Sequence, residues 1–205
     1  MEISKHVKFV IWSLSIIVLI LLNLFSWNER IKGKTSIGED SGHQEEKKQV
    51  LLHHLKDAYA TNGKTIPNVM LKPLKTEAVS LSDLIDNRKA LILIFDDFSC
   101  DICLDILFLE LNKYASKVNS NTTVIGIAQA KSIHYLNQFV RVKKTQFPLY
   151  WDSGRVLNKK LAIHLLPTVL VVNENGTIVN SFHIAPDIRE FSPSFFTGIE
   201  NFLTD

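Results

Sequence analysis

Cysteine is scarce. The 205-residue chain carries two, Cys100 and Cys103, so a small domain stapled by several disulfides is excluded. An excess of one charge is also missing. Lys plus Arg total 23 and Asp plus Glu total 21, a balance of +2, which lacks the basic surplus of a nucleic-acid binder. No internal repeat or low-complexity tract occurs. Neither does a Gly-x-Gly-x-x-Gly fingerprint, so nothing signals a flavin or nicotinamide. What is present suffices for a core: 46% of residues are hydrophobic and 9% aromatic, which argues against wholesale disorder. The length suits one domain plus an appendage.

The long apolar run lies at the N-terminus. Phe9 to Phe25 contains no charge, and Ser13, Ser15 and Asn23 are its polar members. Extended to Trp27 it has about 19 residues, roughly 28 Å of helix, close to a bilayer core of ~30 Å. Trp12 and Trp27 sit near its ends, where an interfacial aromatic belt lies. The run closes on Leu24-Phe25-Ser26-Trp27-Asn28, without the small-x-small site of a cleaved signal peptide. An uncleaved anchor is therefore expected over residues 1–27. Lys5 and Lys8 before it balance Arg30, Lys32 and Lys34 after it, so charge does not set the topology. Residues 28–62 read as a polar tether, Asn28 to Gln44, and a short helix, Glu45 to Ala60, stopped at Asn62-Gly63. Within it His53 and His54 are adjacent, about 100° apart on a helix, a poor geometry for a shared metal. Residues 63–205 form the globular domain.

There the pattern alternates. Val69–Leu74 reads as a strand with Thr76–Val79 as its hairpin partner, and Ser80 or Ser82 caps a helix start. Ala90–Phe95 is a continuous apolar run, the mark of a strand buried on both faces. A helix is expected from Cys100 to about Lys117, then a strand over Thr123–Ala128. Helices follow over Ser132–Lys143 and Gly154–Ile163. Thr168–Val172 and Thr177–Phe182 form a hairpin around Asn173-Glu174-Asn175-Gly176, and Ser194–Leu203 closes the chain as a helix. This order implies an α/β fold, a central mixed β-sheet flanked by helices.

The chemical signal is Phe98-Ser99-Cys100-Asp101-Ile102-Cys103, which follows a buried strand and opens a helix. A cysteine at a helix N-terminus meets unpaired N–H groups and the dipole, both of which favour a thiolate. A second cysteine three residues on lies one turn away, within reach of the first. Cys100 then attacks a disulfide and Cys103 resolves the mixed disulfide. Ile102, Ile106 and Leu107 are expected to surround Cys103. The other readings are two free core cysteines, or a metal site completed by His134, His164 or His183. Zinc needs four ligands, and no second cysteine pair exists. Leu165-Leu166-Pro167-Thr168-Val169-Leu170 places a proline at the start of an apolar strand, either a strand breaker, an edge residue or a cis bond.

Together these pieces resemble the thioredoxin superfamily, specifically the membrane-anchored TlpA-like thiol–disulfide oxidoreductases on its AhpC/TSA-redoxin-like branch. The resemblance covers about Ile66 to Phe182. It rests on Leu81–Leu84, the strand ending in Phe95, the Cys-x-x-Cys, Trp151-Asp152-Ser153-Gly154, Leu166-Pro167-Thr168 and Asn175-Gly176 in that order. It implies a thioredoxin-like fold preceded by one transmembrane helix. It also implies that Pro167 is the family's cis-proline beside the cysteines, and that the backbone of Leu166 pairs with an extended substrate. Ser99, Asp101 and Ile102 join Leu166 as expected substrate-binding positions. The chain departs from the pattern at Ser99, where tryptophan is usual, at Asp96 and Asp97 after Phe95, at Asp101-Ile102 inside the pair, and at Ile94, where an acid or asparagine is common. Asp96 or Asp97 either replaces that acid or is a solvated loop carboxylate. With Asp101 they place negative charge beside Cys100, opposing the dipole, so the couple is expected at the reducing end, below about −180 mV.

The reading is thus a membrane-tethered reductase of protein disulfides outside the cytoplasm, fed by an upstream thiol donor, with no nucleic acid and no cofactor beyond the redox-active Cys100–Cys103 pair. A peroxiredoxin-like peroxidase would need a Pro-x-x-x-Thr-x-x-Cys approach, which Asp96 and Asp97 occupy instead. A thioredoxin-like binding module or copper chaperone is the non-enzymatic alternative, since thiolates suit Cu(I).

Overall fold

A computed structural model describes residues 60–117, 122–186 and 192–204, together with 48, 49, 52, 56 and 189. The expected anchor and tether, and most of the short helix before Ala60, lie outside the described residues. Among the described residues, no helix is long and apolar enough to cross a membrane.

In chain order the elements are β1 (Met70–Pro73), β2 (Val79–Ser80), α1 (Leu81–Ile85), β3 (Lys89–Phe95), α2 (Asp101–Lys117), β4 (Thr122–Ala128), α3 (Ile133–Lys143), β5 (Leu149–Trp151), α4 (Val156–Leu161), β6 (Thr168–Val172), β7 (Ile178–His183) and α5 (Ser192–Thr204). The strands form one mixed sheet in the order β2-β1-β5-β4-β3-β6-β7. At its centre β3 runs parallel to β4 and antiparallel to β6.

Every residue of β3 is buried, as its unbroken apolar run requires. Alternation divides them between two layers. Leu91, Leu93 and Phe95 pack with Leu104, Leu107 and Phe108 of α2, Phe139 of α3 and Phe196 of α5. Ala90, Ile92 and Ile94 pack on the opposite face with Leu81 and Ile85 of α1 and Leu157 and Leu161 of α4. Each such side chain contributes about 1.5–3 kcal/mol by leaving water. The strand is thereby fixed in register and depth, and with it the turn that leaves its C-terminal end.

Several boundaries differ from the sequence reading. The partner of β1 is shorter than 76–79: the pairs are Met70↔Ser80 and Leu71↔Val79, after which Lys72 and Pro73 pair with Trp151 and Tyr150 of β5. Ser80 occupies the N-cap of α1, but its hydroxyl bonds Asn68 Oδ1 at 2.8 Å and Ser82 Oγ rather than the helix backbone. Helix α4 is confined between Arg155 (φ 51°) and Ala162 (φ 58°), both left-handed, so it is shorter than Gly154–Ile163. Strand β5 went unread because three residues carry no periodicity. Gly126 admits it: a Cβ there would collide with Leu149 Cδ2 and lie 3.2 Å from Phe147 Cε2.

Candidate active site

The turn from Asp96 to Ser99 joins β3 to α2 and is tied by its own side chains. Asp96 Oδ1 accepts from the Phe98 N–H (3.1 Å) and the Ser99 hydroxyl (2.9 Å), while the Asp96 N–H donates to Ser99 Oγ (3.0 Å). Arg155, at the start of α4, donates from Nη2 to Asp96 Oδ2 at 3.2 Å and lies 3.8 Å from Asp97 Oδ1. Lys131 reaches Asp97 Oδ2 at 3.9 Å, and Lys143 stands 3.8 Å from Asp101. One expectation changes. Asp96 and Asp97 are not solvated loop carboxylates; Asp96 is 8% exposed and the Asp97 side chain 14%. Asp101, by contrast, is 86% exposed and shares Lys143 with Asp105, which that lysine bonds at 2.6 Å. A buried carboxylate without such a partner costs several kcal/mol, which is why the cations are there.

Cys100 follows at the N-terminus of α2. Its sulfur accepts the Cys103 N–H at 3.3 Å, and its carbonyl accepts the Leu104 N–H at 2.9 Å. Cys100 is half-buried and Cys103 fully buried, both as free thiols. Cys103 packs with Leu104 and Leu107, and Ile106 borders the same cluster. Ile102 does not cover it: one residue is about 100° of helix, and Ile102 is 58% exposed. Burial pushes the Cys103 thiol up to about 12, helped by its hydrogen bond to Cys100 and by the charge Cys100 carries as a thiolate.

The second wall comes from β6. The Leu166–Pro167 bond is cis. The register Ile94↔Thr168 places Pro167 opposite Phe95, at the end of β3 from which the cysteine turn departs. The Pro167 carbonyl accepts from the Ile184 N–H (3.3 Å) and bonds His183 Nδ1 (2.9 Å), and Thr168 Oγ1 donates to the Leu165 carbonyl (2.7 Å). Leu166 precedes the first ladder pair, and its side chain packs on the lower core. An open groove of about 590 Å³ lies between Asp96 and Phe98 of the turn and Leu165, Leu166 and His183; its lining does not include Cys100, Cys103 or Pro167.

The sequence-predicted residues thus divide. Cys100, Cys103, Pro167 and Leu166 meet at one end of the sheet. Ser99 turns inward to Asp96, whereas Asp101 and Ile102 point outward beside Cys100. Phe98 is 72% exposed under the Lys131 ammonium, 4.9 Å from its ring centre. Among the described residues, no three His, Cys, Asp or Glu side chains are placed to hold a metal ion. Arg155 was missed; it lies 59 residues from Asp96, a separation with no local pattern. Asp152 holds it in place, accepting from the N–H groups of Val156 and Leu157 and from Gln129 Nε2, each at 3.0 Å.

The AhpC/TSA family pattern matches residues 62–181, more than half of the chain. The chain belongs to the AhpC/TSA family, as a thioredoxin-superfamily protein of the TlpA-like type. It is 23% identical over 119 residues to the thiol-disulfide oxidoreductase ResA of Bacillus subtilis, a match that takes in 58% of this chain and 65% of ResA. The chain thus spans just under two thirds of that relative. Among solved structures it is similar to a Chlorobium tepidum protein assigned as thiol:disulfide interchange protein DsbE (TM-score 0.57, 16% identity, 67% of this chain and 96% of that one). A thiol-disulfide oxidoreductase from Bacteroides fragilis aligns at TM-score 0.52 with 20% identity, over 64% of this chain and 99% of that one. At these identities the structures establish the fold, which is thioredoxin-like.

Asp96→Ala strips the turn of an acceptor and leaves Arg155 with only the longer contact to Asp97. It should cost about 1.5–3 kcal/mol in urea unfolding, while Asp96→Asn, which keeps an acceptor, should recover part of that. Cys103 generates a pH signature. Its folded-state pKa lies above the unfolded value of about 8.5, so its contribution to stability is full below that pH and fades as pH climbs toward 12. In a Cys100→Ser variant, alkylation of Cys103 should keep rising with pH without a plateau below about pH 10, whereas an ordinary thiol levels off near 8.5.

Proposed function

We propose that the protein exchanges its Cys100–Cys103 dithiol with disulfides of partner proteins, as a reductase. The observation that carries this reading is a half-exposed cysteine at a helix N-terminus, its sulfur hydrogen-bonded by the backbone of a fully buried second cysteine, at the end of the sheet where β6 begins after cis-Pro167.

The chemistry follows from that asymmetry. Cys100 is the accessible sulfur, and its thiolate attacks one substrate sulfur. A Cys100–substrate bond forms, the substrate S–S bond breaks, and the electron pair leaves on the other substrate sulfur, which takes up a proton. Until then burial, with the hydrogen bond to Cys100 and the charge on it, holds the Cys103 proton in place. Once Cys100 is in a neutral mixed disulfide, that charge disappears and the Cys103 proton loosens. Cys103 gives up its proton and its thiolate attacks Cys100; the Cys100–Cys103 bond forms, the Cys100–substrate bond breaks, and the electron pair leaves on the second substrate sulfur, which takes up a proton. Two electrons pass to the substrate, and an upstream thiol donor returns them. The dithiol supplies all of this chemistry without another cofactor. The free backbone of Leu166, ahead of the β6 ladder, is suited to hold an extended substrate strand beside Cys100.

The apolar stretch Phe9–Trp27 supports a membrane tether with the domain on the extracytoplasmic face, a placement suited to disulfide chemistry and to membrane-bound partners at raised effective concentration.

Full-length Cys103→Ser should retain partner proteins as reducible adducts in the membrane fraction, and a membrane-impermeant maleimide added to intact cells should label its Cys100. Cys100→Ser should retain none. Equal capture by both variants would remove Cys100 from the nucleophile's role, and protection of Cys100 in intact cells would reverse the topology.

A further inference from the structure

The groove beside the Asp96–Phe98 turn has a charge pattern that thiol exchange itself does not require. Its α4 wall consists of Arg155, Asn158, Lys159 and Ala162, and the following loop adds His164. Asp96 is the sole carboxylate lining it; that side chain is 10% exposed and faces Arg155. Asp97 is likewise turned toward Arg155 and Lys131. These two acids are therefore directed inward, whereas Asp101, which does not line the groove, is 86% exposed. The cations are directed outward: the Arg155 side chain is 44% exposed, and Lys159 is exposed. Lys159 pairs with none of the described carboxylates. Whatever occupies this groove thus meets positive charge at its α4 wall, with no exposed acid among the described residues that line it.

We propose that this groove selects disulfide substrates bearing an acidic side chain close to the disulfide, with Lys159 as the principal recognition group. The proposal rests on the thiol-exchange reading and adds a substrate class to it. The occupant is an extended polypeptide segment laid between the cysteine turn and the Leu165–Leu166 loop, and charge complementarity supplies the argument. Phe98, at the groove's rim, offers an apolar contact to the same segment. Because Lys159 is solvent-exposed, its effect is screened: the Debye length falls from about 10 Å at 0.1 M salt to about 3 Å at 1 M.

Three peptides with the same disulfide and Glu, Gln or Lys two residues from the cysteine provide the test, with second-order rates of reduction by the reduced full-length protein as the readout. At low salt the Glu peptide should react about tenfold faster than the Lys peptide, with Gln between them, and the ratio should approach one near 1 M salt. Lys159→Glu should reverse the order. Equal rates for the three peptides, or a ratio unchanged in Lys159→Glu, would overturn the acidic-substrate proposal and leave thiol exchange standing. Failure to reduce any of the three, the neutral Gln peptide included, would overturn the exchange reading and this proposal with it.

Discussion

A sulfur that accepts an amide hydrogen at the first turn of a helix gives the site its directionality. The Cys103 N–H points at Cys100 Sγ over 3.3 Å because α2 begins there, and the same helical turn carries the Cys103 side chain into the core. One backbone geometry therefore produces two unlike thiols: one open to a partner, the other sealed and held in its protonated form. Were both exposed, either could attack first and order would be lost. Were both buried, no substrate could reach them.

That geometry is held from two directions. From below, β3 is clamped between two apolar layers, so its end cannot shift without disturbing both. From the side, Arg155 grips Asp96, which in turn grips Phe98 and Ser99. Asp96 gives up most of its water in this pair, while the Arg155 side chain stays 44% exposed. The benefit of the pair is specific placement of the turn. It also changes the electrostatics read from sequence. Asp96 and Asp97 meet Arg155 and Lys131, whereas Asp101 stays exposed beside Cys100.

Much of this was legible in the chain. The run Ala90–Phe95 announced a strand buried on both faces, and the Cys-x-x-Cys after it announced a helix start, because each signal is local and strong. Thr168–Val172 was read to the residue for the same reason. The resemblance supplied the cis bond at Pro167, which no local pattern could distinguish from a strand breaker. What escaped was short or distant. Leu149–Trp151 has too few residues to show a period. The Asp96–Arg155 pair joins positions that only the folded chain brings together. Ile102 was misplaced by counting neighbours along the chain rather than around the helix, where a step of one turns outward.

The most direct test of the central claim is the equilibrium between the dithiol and disulfide forms of Cys100 and Cys103. The full-length protein would be poised at pH 7 in thiol–disulfide buffers and the thiols quantified by alkylation and mass. The account predicts one intramolecular bond, a single two-electron transition with tenfold change per ~30 mV, and a midpoint below about −180 mV. A midpoint well above that value, or two cysteines that never join across the whole range, would contradict it.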